Sequence, residues 1–340
     1  MSQKIAIVIS ASYGGGAEKS MQLIHERLRT LNFESLLISI NKTSSYSTQA
    51  KHEINLGRSQ RAGHIKTLLC AIKLNYQLFR FKPSVLILNC EIAEVLGVLS
   101  FRRKLRLFVV EHANPSWEGR RALGFLVRRL LIARGTRFIA VSSHIKPPFE
   151  LHNYESVIPN PLGSTVSNNV HATSEEMKRI VYIGRLTSVH KNPEQMLHIS
   201  SATGLPVVFI GVGEMMSQLK ILAKKFGVSA EFSGWVKNPW NLIGAHDLVI
   251  VPSEHEGDGL VVVEAILRQV PLLLSDIPDF RRFNLPNINY CASLSEFVST
   301  TEQNRNSLSS LRPPLKAKQI LEEHRNIDKV VDSWIRTLSL

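Results

Sequence analysis

Apolar residues return along this chain in short β-branched bursts, separated by longer stretches with helical spacing. Residues 5–9, 35–40, 85–88, 106–110 and 138–141 read as buried strands in the first half, and 180–183, 207–210, 231–232, 248–251 and 271–274 in the second. Between them, 17–31, 64–80, 120–133 and 215–226 carry helical patterns. Strands that alternate with helices need crossover connections, and crossovers produce parallel sheets. The pattern therefore predicts the doubly wound α/β class.

The series restarts midway. Residues 156–176, "SVIPNPLGSTVSNNVHATSEE", are rich in Ser, Asn and Pro, lack periodicity and read as a linker. A fresh strand, "RIVYIGRL", follows. The pattern predicts one α/β domain over 1–161 and a second over 162–318. Residues 319–340 close the chain, with a helix read over 320–338 from Ile320, Ile327, Val330, Val331, Trp334 and Leu338. The polar segment 41–63 reads as a loop. In "RRALGFLVRRLLIARG", Leu123, Leu126, Val127 and Leu130 form a stripe expected to pack on the sheet.

Composition narrows the classes. A chain of 340 residues with 44% apolar content can bury two cores. The longest apolar run, 85–99, is interrupted by Glu91 and Glu94, so no spanning helix is expected. The opening "MSQKIAIVIS" is too short for a signal peptide and reads as a first strand, which implies a cytoplasmic protein. The three cysteines, Cys70, Cys90 and Cys291, are far apart, form no metal pattern and read as buried thiols. The net charge of +13 admits nucleic acid, an anionic membrane or a phosphorylated ligand as partner. The excess is concentrated in the first half, and residues 55–90 contain no acid.

Four segments carry candidate chemistry. "IVISASYGGGAEKS" puts glycines between a strand and a helix, where backbone can approach an anion; a tight turn explains them equally well. "IGRLTSVHKN" places Gly184, Arg185 and Lys191 at the carboxyl edge of the second domain's first strand, where ligands of open α/β sheets bind. Arg offers a fork to phosphate and Lys a mobile charge, although two solvated cations would look the same. "VPSEHEGDGLVVVEAI" puts Glu256 in a loop and Glu264 in a helix expected to start near Gly259. Its glycines and helix dipole suit phosphate, and its two carboxylates suit hydroxyls. "VVEHANPSWEG" places His112 just past a strand.

Taken in order, "GGGAE", "EH", "IPNP", "GRLTSVHKN", "GVGE" and "EGDGLVVVEA" resemble the GT-B fold retaining glycosyltransferases of family 4, over nearly the whole chain. Glu256 and Glu264 fit that family's E-x7-E pattern. "SGWVKNPWNLI" is similar to a segment of the bacterial lipopolysaccharide galactosyltransferases. The resemblance implies two Rossmann-like domains facing each other across a donor-binding cleft, with the terminal helix crossing back to the first. It implies that Arg185 and Lys191 bind a diphosphate, with Gly15 and Gly16 closing over it. Gly257, Asp258, Gly259 and Leu260 would line the donor, Glu264 would hold the ribose and Glu256 the sugar. His112 would hydrogen-bond the sugar and orient the reacting centre. No metal or other cofactor is expected, since protein cations take that place.

The expected activity is retaining transfer of a hexose from a nucleotide-sugar, UDP-sugar favoured, to a lipid-linked, lipopolysaccharide or capsule glycan. Asp258 departs from the family's usual aromatic or aliphatic residue, which leaves it either touching a sugar hydroxyl or lying in solvent. The alternatives are a basic nucleic-acid-binding protein and a glycosidase using Glu256 and Glu264. The nucleic-acid reading lacks an RNP-type, zinc-finger or helix-turn-helix pattern, so no nucleic-acid partner is expected. Arg120, Arg121, Arg128 and Arg129 are the expected contacts to an anionic membrane or to acceptor phosphates. They imply a peripheral protein at the inner face of the cytoplasmic membrane.

Overall fold

The computed structural model describes residues 3–11, 15–41, 52–59, 64–102, 104–112, 117, 119–163 and 174–340. Gly14 of the glycine run, Arg103, Glu118 and the middle of the linker lie outside the described residues. The chain divides into two compact units, Met1–Gly163 with His324–Leu340, and Ser164–Glu323.

The first unit is built from β1 (Lys4–Ile9), α1 (Gly16–Thr30), β2 (Glu34–Asn41), β3 (Glu53–Arg58), α2 (His64–Phe81), β4 (Val85–Leu88), α3 (Glu91–Val98), β5 (Arg106–Glu111), α4 (Arg121–Ala133), β6 (Arg137–Ala140) and β7 (Ser156–Val157). Its sheet runs β3-β2-β1-β4-β5-β6-β7, with every pair parallel. One core packs α2, α3 and α4 on one face of this sheet. A second core packs α1 and the chain's last helix on the other.

The second unit contains β8 (Arg179–Ile183), α5 (Gln195–Thr203), β9 (Val207–Ile210), α6 (Met216–Phe226), β10 (Ala230–Gly234), β11 (Asp247–Val251), α7 (Leu260–Arg268), β12 (Leu272–Ser275), α8 (Pro278–Arg281), β13 (Tyr290–Cys291), α9 (Leu294–Gln303) and α10 (Leu315–His324). Its sheet runs β10-β9-β8-β11-β12-β13, again all parallel. Strands buried on both faces must be apolar throughout, as "VVFI" and "DLVIV" nearly are.

Three expectations change. The polar segment 41–63 contains edge strand β3, whose short apolar alternation, Ile54 and Leu56, packs on the core beside β2. Residues 156 and 157, read as linker, form β7. The single terminal helix is two. α10 ends at His324, and Asn326 starts α11 (Ile327–Leu338) by accepting from Asp328 N (2.9 Å) and Lys329 N (3.4 Å). α11 buries Val330, Val331, Trp334 and Leu338 in the first unit's core, while Ile320 on α10 stays exposed.

The stripe on α4 is also corrected. Leu123, Leu126 and Leu130 are exposed, and the helix instead buries Gly124, Val127, Arg128 and Leu131. Arg128, expected at a membrane or acceptor surface, is 0% exposed. Its guanidinium grips Glu94 through Nε (2.6 Å) and Nη2 (2.7 Å), and Nη2 also pairs with Glu111. A buried guanidinium this well paired cannot turn outward without leaving two buried carboxylates uncompensated. Gly124 makes room for Trp117, since a β-carbon there would lie 2.4 Å from the indole.

Arg128 also lies 5.1 Å over the Phe138 ring, and the His152 ring stacks on that same ring, 3.7 Å between centroids. Neither His152 ring nitrogen has a hydrogen-bond partner among the described residues. Burial, with Arg128 adding to it, pushes the imidazole down to about 4 from its usual 6.5. The unfolded chain therefore takes up a proton between these two values that the folded protein refuses. Stability from this group is full above pH 6.5 and is lost as pH falls towards 4. His152→Phe keeps the stack and should flatten that part of the acid decline, measured as Tm against pH; parallel wild-type and variant profiles would contradict the assignment.

Candidate active site

In the second sheet the chain leaves β8 towards β9 and β10, then returns to β11 on β8's other side. Loops after β8 and β11 therefore diverge, and the crevice at this reversal is where open α/β sheets bind ligands. The β8 loop is fixed by contact between backbones. Gly211 has φ +151°, and a β-carbon on it would lie 1.8 Å from Gly184 O; one on Gly213 would lie 2.1 Å from Leu186 O. Hydrogen bonds close this contact, from Gly184 N to Ile210 O, Leu186 N to Val212 O and Met215 N to Leu186 O, each 3.0 Å. The Tyr182 hydroxyl, whose pKa burial pushes up, donates to Arg185 O at 2.9 Å. Arg185's backbone is thus held while its side chain is exposed. Glu214, of the "GVGE" turn, accepts from Thr187, which holds its carboxyl below the usual range.

Beyond Arg185 the β8 loop clasps the β11 loop. Glu254 N donates to His190 O and Asn192 Nδ2 to Glu254 Oε1, both at 2.9 Å. The His190 and His255 rings meet edge to face at 4.9 Å. Lys191 Nζ donates to Glu256 Oε1 at 2.5 Å, and Ser253 Oγ donates to the same oxygen at 3.1 Å. The candidate cation and the candidate sugar-binding carboxylate are therefore neighbours in one charge-assisted contact. An ammonium has three donors, so Lys191 can hold Glu256 and still reach an anion.

α7 begins where expected. Gly259 caps it at φ +56° and packs under Phe280, and Val263 N makes the first helical bond to Gly259 O, so the N–H groups of the first turn of α7 face the same edge. Glu264, on the helix's second turn, accepts from Trp240 Nε1 at 2.5 Å. Arg268 lies 5.1 Å over the Trp240 ring and donates to Glu264 O at 3.3 Å. Asp258 neither faces solvent nor stands clear for a sugar: it is 5% exposed, and Arg282 Nη2 donates to its Oδ1 (3.1 Å) and its carbonyl (2.6 Å). Asp279 Oδ2 accepts from Glu256 N at 2.7 Å. The short α8 segment thus braces the loop between Glu256 and Gly259. Trp240, Arg268, Asp279 and Arg282 were not read as site residues; Trp240 alone left a signal, inside "SGWVKNPWNLI".

In the first unit, His112 follows β5, and its Nε2 meets Asn89 Oδ1 at 2.5 Å. Asn89 Nδ2 reaches Ala17 O at 3.5 Å, which ties the ends of β4 and β5 to the first turn of α1. Gly15 is the α1 N-cap with φ −81°, an ordinary extended conformation, and Gly16 is the first helical residue. Both lie at the carboxyl edge of β1, where the α1 N–H groups face outward. Among the described residues no group of three or more His, Cys, Asp or Glu could hold a metal ion.

Residues 165–293 match the family of glycosyl transferases group 1. The chain is similar in structure to HepE of Anabaena, solved in complex with UDP and glucose, with TM-score 0.79, 17% identity and 99% of each chain covered. It is also similar to the lipopolysaccharide outer core galactosyltransferase WaaB (TM-score 0.69, 14% identity, 99% of each chain covered). A third likeness is to WaaG, a glycosyltransferase involved in lipopolysaccharide biosynthesis (TM-score 0.68, 13% identity, 97% of this chain and 99% of that one). No curated protein sequence matches the chain. This is a glycosyltransferase of the GT-B fold. A transferase gives the cations of the β8 loop a task that a glycosidase acting on a neutral sugar would not.

The glycosyltransferase's Asp258–Arg282 pair should be a structural brace. Arg282→Ala strands a buried carboxylate and should cost about 3 kcal/mol or more in urea unfolding. Asp258→Asn should cost less, and the double variant should recover part of the Arg282→Ala loss. A double variant as unstable as the sum of the two single changes would contradict the pairing.

Proposed function

We propose that the protein transfers a hexose from a UDP-sugar, with retention of anomeric configuration, to a lipid-linked, lipopolysaccharide or capsule glycan at the inner face of the cytoplasmic membrane. The observation that carries this is the convergence of Arg185, Lys191, the α7 N-terminus, Glu256 and Glu264 on the β8/β11 edge, within the matched glycosyl transferase region. Arg185 and Lys191 take the diphosphate, with the α7 N–H groups adding their dipole. Glu264, oriented by Trp240, accepts from two ribose hydroxyls. Glu256, held by Lys191 and Ser253, accepts from the sugar. By the resemblance alone, Gly15 and Gly16 are assigned to the diphosphate and His112, set by Asn89, to the sugar.

In this reading the bond from the anomeric carbon to the phosphate oxygen breaks while an acceptor hydroxyl oxygen attacks from the same face. The leaving phosphate takes the hydroxyl's proton. Negative charge grows on that phosphate, beside two side-chain cations and a helix N-terminus, so the transition state gains more from them than the ground state does. The reading needs no metal, because those groups supply the counter-charge. UDP is favoured because the HepE structure contains it, and the glycan acceptor because WaaB and WaaG are named for lipopolysaccharide.

Thermal shift with UDP, GDP and ADP tests the donor directly: UDP should stabilise most, and stabilisation by GDP but not UDP would overturn the choice. An inverted product anomer would overturn retention. Lys191→Ala and Arg185→Ala each remove a charge-assisted hydrogen bond of about 1.5–3 kcal/mol, so each should weaken donor use about 10- to 150-fold. Glu264→Gln should weaken free UDP and donor alike. Glu256→Gln should leave free UDP binding while transfer falls; equal loss of UDP affinity in both would refute the division of roles.

A further inference from the structure

α2 is apolar on two opposite faces. Its inward face, Cys70, Ala71, Leu74 and Leu78, is buried against the first sheet. Its outward face carries Ile65, Leu68, Leu69, Ile72, Tyr76 and Phe79, each 52–78% exposed. These positions follow helical spacing and fall within an arc of about 100°, a stripe about 20 Å long. Phe101, 82% exposed, extends it, since Phe101 N donates to Asn75 Oδ1 of α2 at 2.9 Å. α3 packs against both α2 and α4, so the exposed Leu123, Leu126 and Leu130 of α4 open on the same side of the sheet. Exposed apolar surface this continuous marks an interaction site.

The charges around it are of one sign. Lys66, Lys73 and Arg80 line one edge of the α2 stripe, and the run 55–90 that contains it has no acid. Arg129 borders the α4 leucines, and Arg120 and Arg121 are exposed at the start of that helix. Three of these guanidinium groups lie over aromatic rings: Arg80 over Tyr76 (5.7 Å), Arg121 over Phe149 (5.6 Å) and Arg129 over Phe125 (5.8 Å). Side chains built this way keep an apolar body low and a cation at the water boundary.

We infer that the outward face of α2, continued by Phe101 and α4, docks on an anionic lipid bilayer, with α2 lying in the interfacial plane. The charge pattern selects this occupant. Apolar residues flanked by cations without acids match acyl chains beneath anionic headgroups. A second copy of the chain seated face to face would bring cations against cations. No described helix is long and apolar enough to cross a membrane, so the attachment is along the surface. It rests on α2 rather than on Arg128, and it deepens the membrane location proposed above by giving it a surface, while the donor assignment stands or falls separately.

The test is flotation of the full chain with vesicles of phosphatidylcholine alone or containing phosphatidylglycerol, without glycan or nucleotide-sugar. Failure here therefore leaves the donor assignment untouched. The wild type should float with the anionic vesicles and be released by salt. Ile72→Glu with Phe79→Glu should reduce that binding at least about tenfold, with Tm and the UDP thermal shift unchanged. Neutralising Lys66 and Arg80 with Gln should weaken binding and its salt dependence. A wild type that ignores anionic vesicles at low ionic strength overturns the inference, as does equal flotation of the Glu variant. Light scattering that finds a dimer dissolved by the Glu variant, without vesicle binding, assigns the face to a second copy instead.

Discussion

The carbonyl of Gly184 occupies space that a β-carbon on Gly211 would need, 1.8 Å away. The site in the second unit depends on this approach of two backbones. It allows the turns after β8 and β9 to be joined by main-chain hydrogen bonds, so Arg185 leaves the sheet in a fixed direction. From there the His190–Glu254 and Lys191–Glu256 contacts carry the same registration to the β11 loop. The cations and carboxylates of the site are side chains on turns, but their positions derive from strands buried on both faces.

Opposite charge organises the site more than apolar packing does. Lys191 orients Glu256, Arg282 braces Asp258, and Asp279 holds the Glu256 amide. Only the first of these groups is placed to meet a ligand; the others keep its partner in place. The same device appears in the first unit with a different purpose. Arg128 between Glu94 and Glu111 turns α4, and so decides that Leu123, Leu126 and Leu130 face outward while Arg128 itself is buried.

The α/β alternation, the restart before β8, the E-x7-E pair, the cations of "GRLTSVHK" and the start of α7 at Gly259 were legible in the sequence, because each is a local pattern on one segment. A turn, a helix start and a carboxylate one helical turn further on depend on spacing alone. Edge strand β3 was missed because two apolar residues make too short a period. The broken terminal helix was missed because Asn326 is a cap only where the chain already turns.

Partners from distant segments were not legible. Trp240 and Glu264 stand 24 positions apart, as do Arg282 and Asp258, and nothing in their spacing joins them. Periodicity found a stripe on α4 but not its direction, since a helix with leucines on one side and Val127, Leu131 and Arg128 on another can bury either. The choice fell to Arg128, whose two carboxylates come from α3 and β5 and exist as a pair only after the sheet has formed. The sequence by itself determined the elements and which segments carry chemistry, because local spacing and backbone stereochemistry suffice for that. Tertiary structure alone decided which charges meet and which apolar faces remain in water, because those depend on desolvation shared among residues far apart in the chain.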